Sequence, residues 1–302
     1  MNGARKLNRR GAALMLALWA LFLLSAMIIS WVLDIDSRLA VAGASSRVLE
    51  AEAMACSGAE IALAPEVDPG SPVLRGSLGK NQTYQARIVG EGGRLNLVWL
   101  LAGENPQRLQ ILRKYLEIKG VDINERDQMM DALLDFVDPD DIPRLNGVEA
   151  GPDYQPKNAP LQRVDELKQV KGWEKFTARK NWDEDFTLYS SGPVDLAWAS
   201  RDVLLSLPGF NDQIVDRFLQ LRRGQDGIDG TEDDAQFESL EDVRVAIGFT
   251  PAQFAQLSGL IGFNDQVVRV VSLGKSGNAT RTVEMIIRKN GPRPQMIRWK
   301  ES

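Results

Sequence analysis

Histidine is missing from all 302 residues, and Cys56 is the single cysteine. The first absence removes Ser-His and Cys-His nucleophile pairs, imidazole metal sites and the usual general base near neutral pH. The second rules out an intramolecular disulfide, and Cys56, in an Ala-rich run, reads as a small packed side chain. A basic excess is lacking too: 36 Lys and Arg stand against 41 Asp and Glu, a net charge of -5, where a nucleic-acid surface is normally basic. These absences turn the expectation away from an enzyme and toward protein partners. The chain is long enough for one large or two ordinary domains beyond an anchor.

What the sequence does have is a long apolar start. Residues 12–32 carry no charge, about the 20 residues a helix needs to cross a bilayer, and Arg5, Lys6, Arg9 and Arg10 precede them. Flanking positive charge holds that end in the cytoplasm, so everything after Asp34 is expected in the periplasm, on a single pass through a bacterial inner membrane. A cleaved secretory signal fits poorly, because its apolar region spans only about 7–15 residues. The run continues through 33–64 in strong helix formers, Ala, Leu and Glu. A helix over 12–64 would be roughly 80 Å long. A pilin-type anchor and a coiled stalk read alike at this level.

After Pro65 a Pro/Gly-rich loop leads to alternating residues on either side of Glu91-Gly92-Gly93, which predicts a β-hairpin turning there or two short strands. The C-terminal 36 or so residues predict three short β runs, broken at 274–278 and 290–292. Between them lies a mainly helical region. Its segments from Pro106 and Asn124 have apolar residues at three- and four-residue spacing, and Asn124 with Asp127 is the expected cap of the second. The expected organisation is 1–11 leader, 12–33 membrane helix, 34–64 its extension, 65–104 first β part, 105–263 helical insertion and 264–302 second β part. This is an α+β fold, an antiparallel sheet interrupted by an all-helical insertion.

Three segments around Gly172, Gly209 and Gly248 read as helix-hairpin-helix elements. Such turns can offer N–H groups to phosphate, but Asp212 beside the Gly209 turn favours packing against protein over DNA. A Gly-rich loop crowds Asp226, Asp229, Thr231, Asp233 and Asp234, oxygen donors on a turning backbone of the kind Ca²⁺ takes, though not at EF-hand spacing. Asp138, Asp140, Asp141 and Glu149 form a looser second group. Solvated acidic loops are the plain alternative for both. No catalytic residues are expected, since dense loop carboxylates usually serve metals or solvent.

Several of these features resemble one family. The junction Arg9-Arg10-Gly11-Ala12 is similar to a prepilin peptidase site, cut between Gly11 and Ala12. Leu133, Leu134, Asp135, Phe136, Asp138, Asp140, Gly147, Glu149, Tyr154, Asn158, Pro160, Leu161, Glu166 and Leu167, with 93–97, resemble the pattern of K-type minor pseudopilins of type II secretion systems. That resemblance implies a pilin-like α+β core, a sterile-alpha-motif-like insertion, and a tip subunit that initiates the pseudopilus for export of folded proteins. It implies as partners the I- and J-type minor pseudopilins, other pseudopilins, prepilin peptidase and the inner-membrane assembly platform, with calcium as the cofactor and no nucleic acid. Most pilin-like chains carry Glu five residues past the cut. Here that position is Leu16, which suits a subunit with none ahead of it, because an unpartnered carboxylate in hydrocarbon costs on the order of 1–3 kcal/mol. A type IV pilus-like minor pilin and a membrane-anchored helix-hairpin-helix DNA-binding protein are the other readings.

Overall fold

A computed structural model describes residues 9–290 and 294–302, with 9–12 described by backbone alone. Arg5 and Lys6 of the basic leader lie outside the described residues, as do the side chains at the expected cut, Gly11 and Ala12. In chain order the elements are α1 (Arg9–Ala62), β1 (Arg75–Leu78), β2 (Gln82–Gly90), β3 (Leu95–Asn96), α2 (Leu97–Leu101), α3 (Pro106–Ile118) and α4 (Ile123–Val137). Then come α5 (Glu174–Thr177), β4 (Phe186–Thr187), β5 (Val194–Asp195), α6 (Arg201–Ser206), α7 (Asp212–Arg222), α8 (Leu240–Ile247) and α9 (Pro251–Ala255). The chain closes with β6 (Ile261–Gly262), β7 (Val267–Ser276), β8 (Ala279–Arg288) and β9 (Gln295–Glu301).

α1 is one unbroken helix of 54 residues, about 80 Å at 1.5 Å per residue. Its first half has an 18-residue window of mean hydropathy 2.4, none of it buried, so this helix is long and apolar enough to cross a membrane. Past the apolar stretch, Arg38 pairs with Asp34 one turn back at 2.9 Å. Burial begins only at Ala51. From there Ala51, Ala55, Ala59 and Ala62 form a fully buried stripe at helical spacing, laid on the sheet with Val270, Val283, Met285 and Ile287. Small residues on both sides bring the backbones close. A Cβ at Gly274 of β7 would collide with the Ala51 carbonyl and the Ala55 amide, and one at Gly58 with Ser272 and Tyr84. Glycine is therefore required at 274 for contact rather than for turning.

The sheet has the order β1-β2-β7-β8-β9 and is antiparallel throughout. β2 and β7 are neighbours although the whole insertion lies between them in sequence. The insertion has its own core, in which Trp173, Tyr115, Phe136, Phe186 and Phe218 are the largest fully buried side chains. Its helices start where capping chemistry allows. Asn105 caps α3 ahead of Pro106 at the first helical position, and Ser239 with Asp242 forms a capping box on α8. The cap of α4 is Asp122, whose carboxylate accepts from the Asn124 amide, and not Asn124 with Asp127 as expected.

Of the two expected arrangements around Glu91-Gly92-Gly93, the separate strands form and the hairpin does not. β2 pairs with β1 and β7, residues 91–93 make a 3-10 turn, and the chain leaves the sheet to pair β3 in parallel with β4. None of Gly90, Gly92 and Gly93 has a positive φ. They are small because Trp198, Asp195 and Asp265 press on them: a Cβ at 90 or 93 would strike Trp198, and one at 92 would strike Asp265. Turn-like composition here records close approach. The insertion consequently starts earlier than residue 105, since Leu95, Leu97, Leu100 and Leu101 belong to its core. The three C-terminal strands do form, with β7 running on through the expected break at Gly274 to Ser276.

Candidate functional site

The motif residues of the insertion converge on the loop after α4. Asp135, in the last turn of that helix, is fully buried and accepts hydrogen bonds from the Arg144 amide at 3.3 Å and its guanidinium at 2.5 Å. Arg144 also reaches Asp138 at 2.5 Å and Glu104 at 2.6 Å, so one cation gathers three carboxylates and ties the loop to the helix. Gly147 packs on the Asp135 carboxylate, leaving no room for a Cβ. Farther on, the Asn158 amide donates to the Phe136 carbonyl at 3.0 Å while its backbone takes the left-handed φ of +48° that Asn tolerates. Glu166 accepts from Lys157 at 2.6 Å, and Leu133, Phe136, Leu161 and Leu167 fill the core beneath.

Within this frame Asp138, Asp140 and Glu149 bring carboxylate oxygens within 4.8 Å of one another. Both Glu149 oxygens, Oδ1 of Asp138 and Oδ1 of Asn158 are buried without a hydrogen-bond partner. Burial raises the Glu149 pKa, and Asp135, Asp138, Asp141 and Asp140 add to that rise. Asp141 is outside the trio and accepts from the Asn158 side chain at 3.2 Å.

In the second loop the structure brings together Asp226, Asp233 and Asp234. The Asp229 carboxylate, expected among them, is held instead by Arg222 at 2.8 Å and Arg223 at 3.0 Å. It serves as counter-ion to Arg222, whose buried guanidinium also donates to the Leu196 and Ala199 carbonyls. Asp233 accepts the Gln225 and Asp226 amides, and these bonds, with one from Thr231, lower its pKa. Burial raises that of Asp234, which caps the Gly230 amide at 2.6 Å. The loop lies against the chain just after α1, because a Cβ on Gly70 would meet the Thr231 backbone.

Residues 93–180 match the family described as "Type II secretion system (T2SS), protein K". That stretch is similar to protein K of type II secretion systems. A solved chain with the same fold comes from "The Crystal Structure of the GspK-GspI-GspJ complex from enterotoxigenic Escherichia coli Type 2 Secretion System". That likeness has a TM-score of 0.58 at 14% identity and covers 89% of this chain and 99% of the other. No curated protein matches the sequence. The protein K domain and this fold together support a minor pseudopilin function in type II secretion.

The protein K match contains the Asp138 group but stops short of the second acidic loop. Arg144, which organises the first, lies inside it and escaped the sequence reading; a lone Arg amid Asp138, Asp140, Asp141 and Glu149 was the available signal. The hairpin elements are only partly as expected. Around Gly209 and Gly248, with φ of +82° and +83°, α6 turns into α7 and α8 into α9. Around Gly172 a 3-10 turn, Val164–Gln169, meets the single-turn α5 instead of two helices. One N–H opening α7, that of Ile214, is met by the Asn211 side chain, and Asp212 and Asp216 pair with Arg201.

Proposed function

We propose that this chain is the tip subunit of a type II secretion pseudopilus, initiating and capping the filament that drives folded proteins through the outer membrane. The observation that carries the reading is the place of the protein K domain: a bulky helical body inserted between β2 and β7 of a sheet that itself rides on the end of a long apolar-start helix. Such a body would obstruct a further subunit above it. Leu16 supports the same position, since an apolar side chain suits a helix with no subunit ahead to pair with a carboxylate. On this reading the helix crosses the inner membrane once with the bulk of the chain in the periplasm. Prepilin peptidase cuts between Gly11 and Ala12, and the assembly platform and other pseudopilins are further partners. The role is one of assembly, with no catalysis.

The I- and J-type minor pseudopilins are the proposed direct partners, by analogy with the complex named above. Calcium is the proposed cofactor. The residues at the Asp138 site fit it, because Glu149, Asp138 and Asn158 present buried oxygens with no protein donor, and Ca²⁺ collects oxygen ligands of this kind. Asp226, Asp233 and Asp234 would hold a second ion, without Asp229. The test is co-expression with the I- and J-type pseudopilins and prepilin peptidase. Expected are one stoichiometric complex and a mature chain whose mass begins at Ala12; an uncleaved chain that elutes alone would remove the proposal.

A further inference from the structure

α1 covers one face of the sheet. The other face is laid out by the strand register. Reading across β2, β7 and β8, one row is Thr83, Lys275 and Thr280, and the next is Gln85, Leu273 and Thr282, with Arg75 opposite Gln85. The third is Arg87, Val271 and Glu284, extended by Lys300 of β9. Arg75, Arg87, Lys275 and Lys300 are exposed. The acid on these rows, Glu284, is already bound to Arg269 at 2.7 Å. Leu273, 41% exposed, sits in the middle of a ring of cations and Thr and Gln side chains.

A chain of net charge -5 has thus concentrated cations, without ion pairs among the described residues, around one exposed apolar residue on a single face. An apolar centre with a hydrogen-bonding, charged rim is the anatomy of a protein contact. We propose that this face docks an acidic surface of a partner protein, which places its own apolar side chain on Leu273 and its carboxylates against Arg75, Arg87 and Lys275. Complementary charge of this kind steers encounter and fixes orientation. Lipid headgroups are a poor occupant, because the sheet rides on α1 from Ala51 onward, some 18 residues beyond the apolar stretch, roughly 27 Å of helix. Phosphate backbones would use the cations but not Leu273. The inference does not depend on the tip reading, since it uses only the sheet.

The test uses the full chain in nanodiscs and two fluorescent 12-residue peptides, one of Glu and Ser and one with a central Leu-Phe pair. The proposal expects both to bind, the Leu-Phe peptide more tightly, and binding to weaken as salt rises. Arg75→Glu/Arg87→Glu/Lys275→Glu should lower affinity at least tenfold. Leu273→Asp should abolish the advantage of the Leu-Phe peptide. Reversing three exposed cations of the insertion, Arg163→Glu/Lys171→Glu/Lys180→Glu, should change nothing. Should the Glu triple variant melt early, Arg75→Gln/Arg87→Gln/Lys275→Gln replaces it with the same expectation. Equal binding by the sheet and control variants, no binding at all, or tighter binding to duplex DNA or phosphatidylglycerol vesicles than to the Leu-Phe peptide overturns the proposal.

Discussion

Glu91 and Arg269, 178 positions apart in sequence, meet as a bidentate pair at 2.7 and 2.8 Å, with Glu91 at 0% exposure. Thr187 donates to the same carboxylate at 2.6 Å, and Arg269 reaches on to Glu284. The pair stands where the chain leaves β2 for the insertion, so a residue of that exit, one of β4 and one of β7 share one carboxylate. It is the polar joint between the two cores.

Removing half of this joint should be far worse than removing all of it. Glu91→Ala leaves a mostly buried guanidinium without its main partner and is expected to cost about 3–5 kcal/mol, whereas Glu91→Leu combined with Arg269→Met should recover much of that loss. Thermal melts of the full chain in detergent measure both. Equal damage in single and double variants would show that the charge itself is not what matters.

The stripe between α1 and the sheet makes a second forecast. Gly274→Val forces side-chain atoms into the Ala51 carbonyl and Ala55 amide of the helix backbone, which cannot yield by a rotamer change. A loss of at least 1–3 kcal/mol is expected, read as earlier melting and as faster proteolytic release of the body from α1. Gly79→Ala, at a turn where a Cβ meets nothing, should release no faster than the parent, its φ of +69° giving only a local strain cost.

Asp195 supplies a pH dependence. Burial pushes its pKa up to about 6, Asp265 adds to the rise, and the amides of Asp265 and Ala197 oppose it. The folded state therefore holds this proton where the unfolded chain, near 3.8, has lost it. Stability from this group is complete below about pH 4 and is lost as pH rises through 6. Asp195→Asn should accordingly gain stability relative to the parent between pH 4 and 7, by on the order of 2–3 kcal/mol. Melts at the two ends of that range decide it, and a difference independent of pH would refute the assignment.

Calcium supplies the fourth. A ligand bound only to the folded state at 100 times its Kd raises stability by about 2.7 kcal/mol. Ca²⁺ should raise the melting temperature of the parent, and Glu149→Gln should remove part of that rise while Asp233→Asn removes another part. Retention of the full shift by both variants would eliminate these carboxylates as ligands.

Much of this architecture can be read from residue patterns, and the misreadings have physical causes. Residues 9–62 are legible because charge-free length and helix formers act locally. The three C-terminal strands are legible because alternation and Gly-Asn breaks are local as well. Gly90, Gly92 and Gly93 misled because a glycine forced by Trp198, about a hundred residues away, looks the same in sequence as one that turns the chain. At the candidate site, the clustering of Asp138, Asp140 and Glu149 is visible in the sequence. The removal of Asp229 from the other group is not, because its partner Arg222 becomes an unavoidable claimant only once α7 buries it against the Leu196 and Ala199 carbonyls. Family resemblance, carried by Asp135, Gly147 and Asn158, located the loop that Arg144 fastens without revealing Arg144.

The alanine stripe has a mechanical meaning. Only the end of α1, from Arg47 onward, touches the body, leaving most of its length as a bare rod. Any pull on the apolar end must therefore pass through that one seam, where the helix backbone rests directly on Gly274. A rod gripped so briefly and so tightly transmits force and tilt to the sheet with little play, and the sheet passes them through Glu91 and Arg269 to everything mounted beyond.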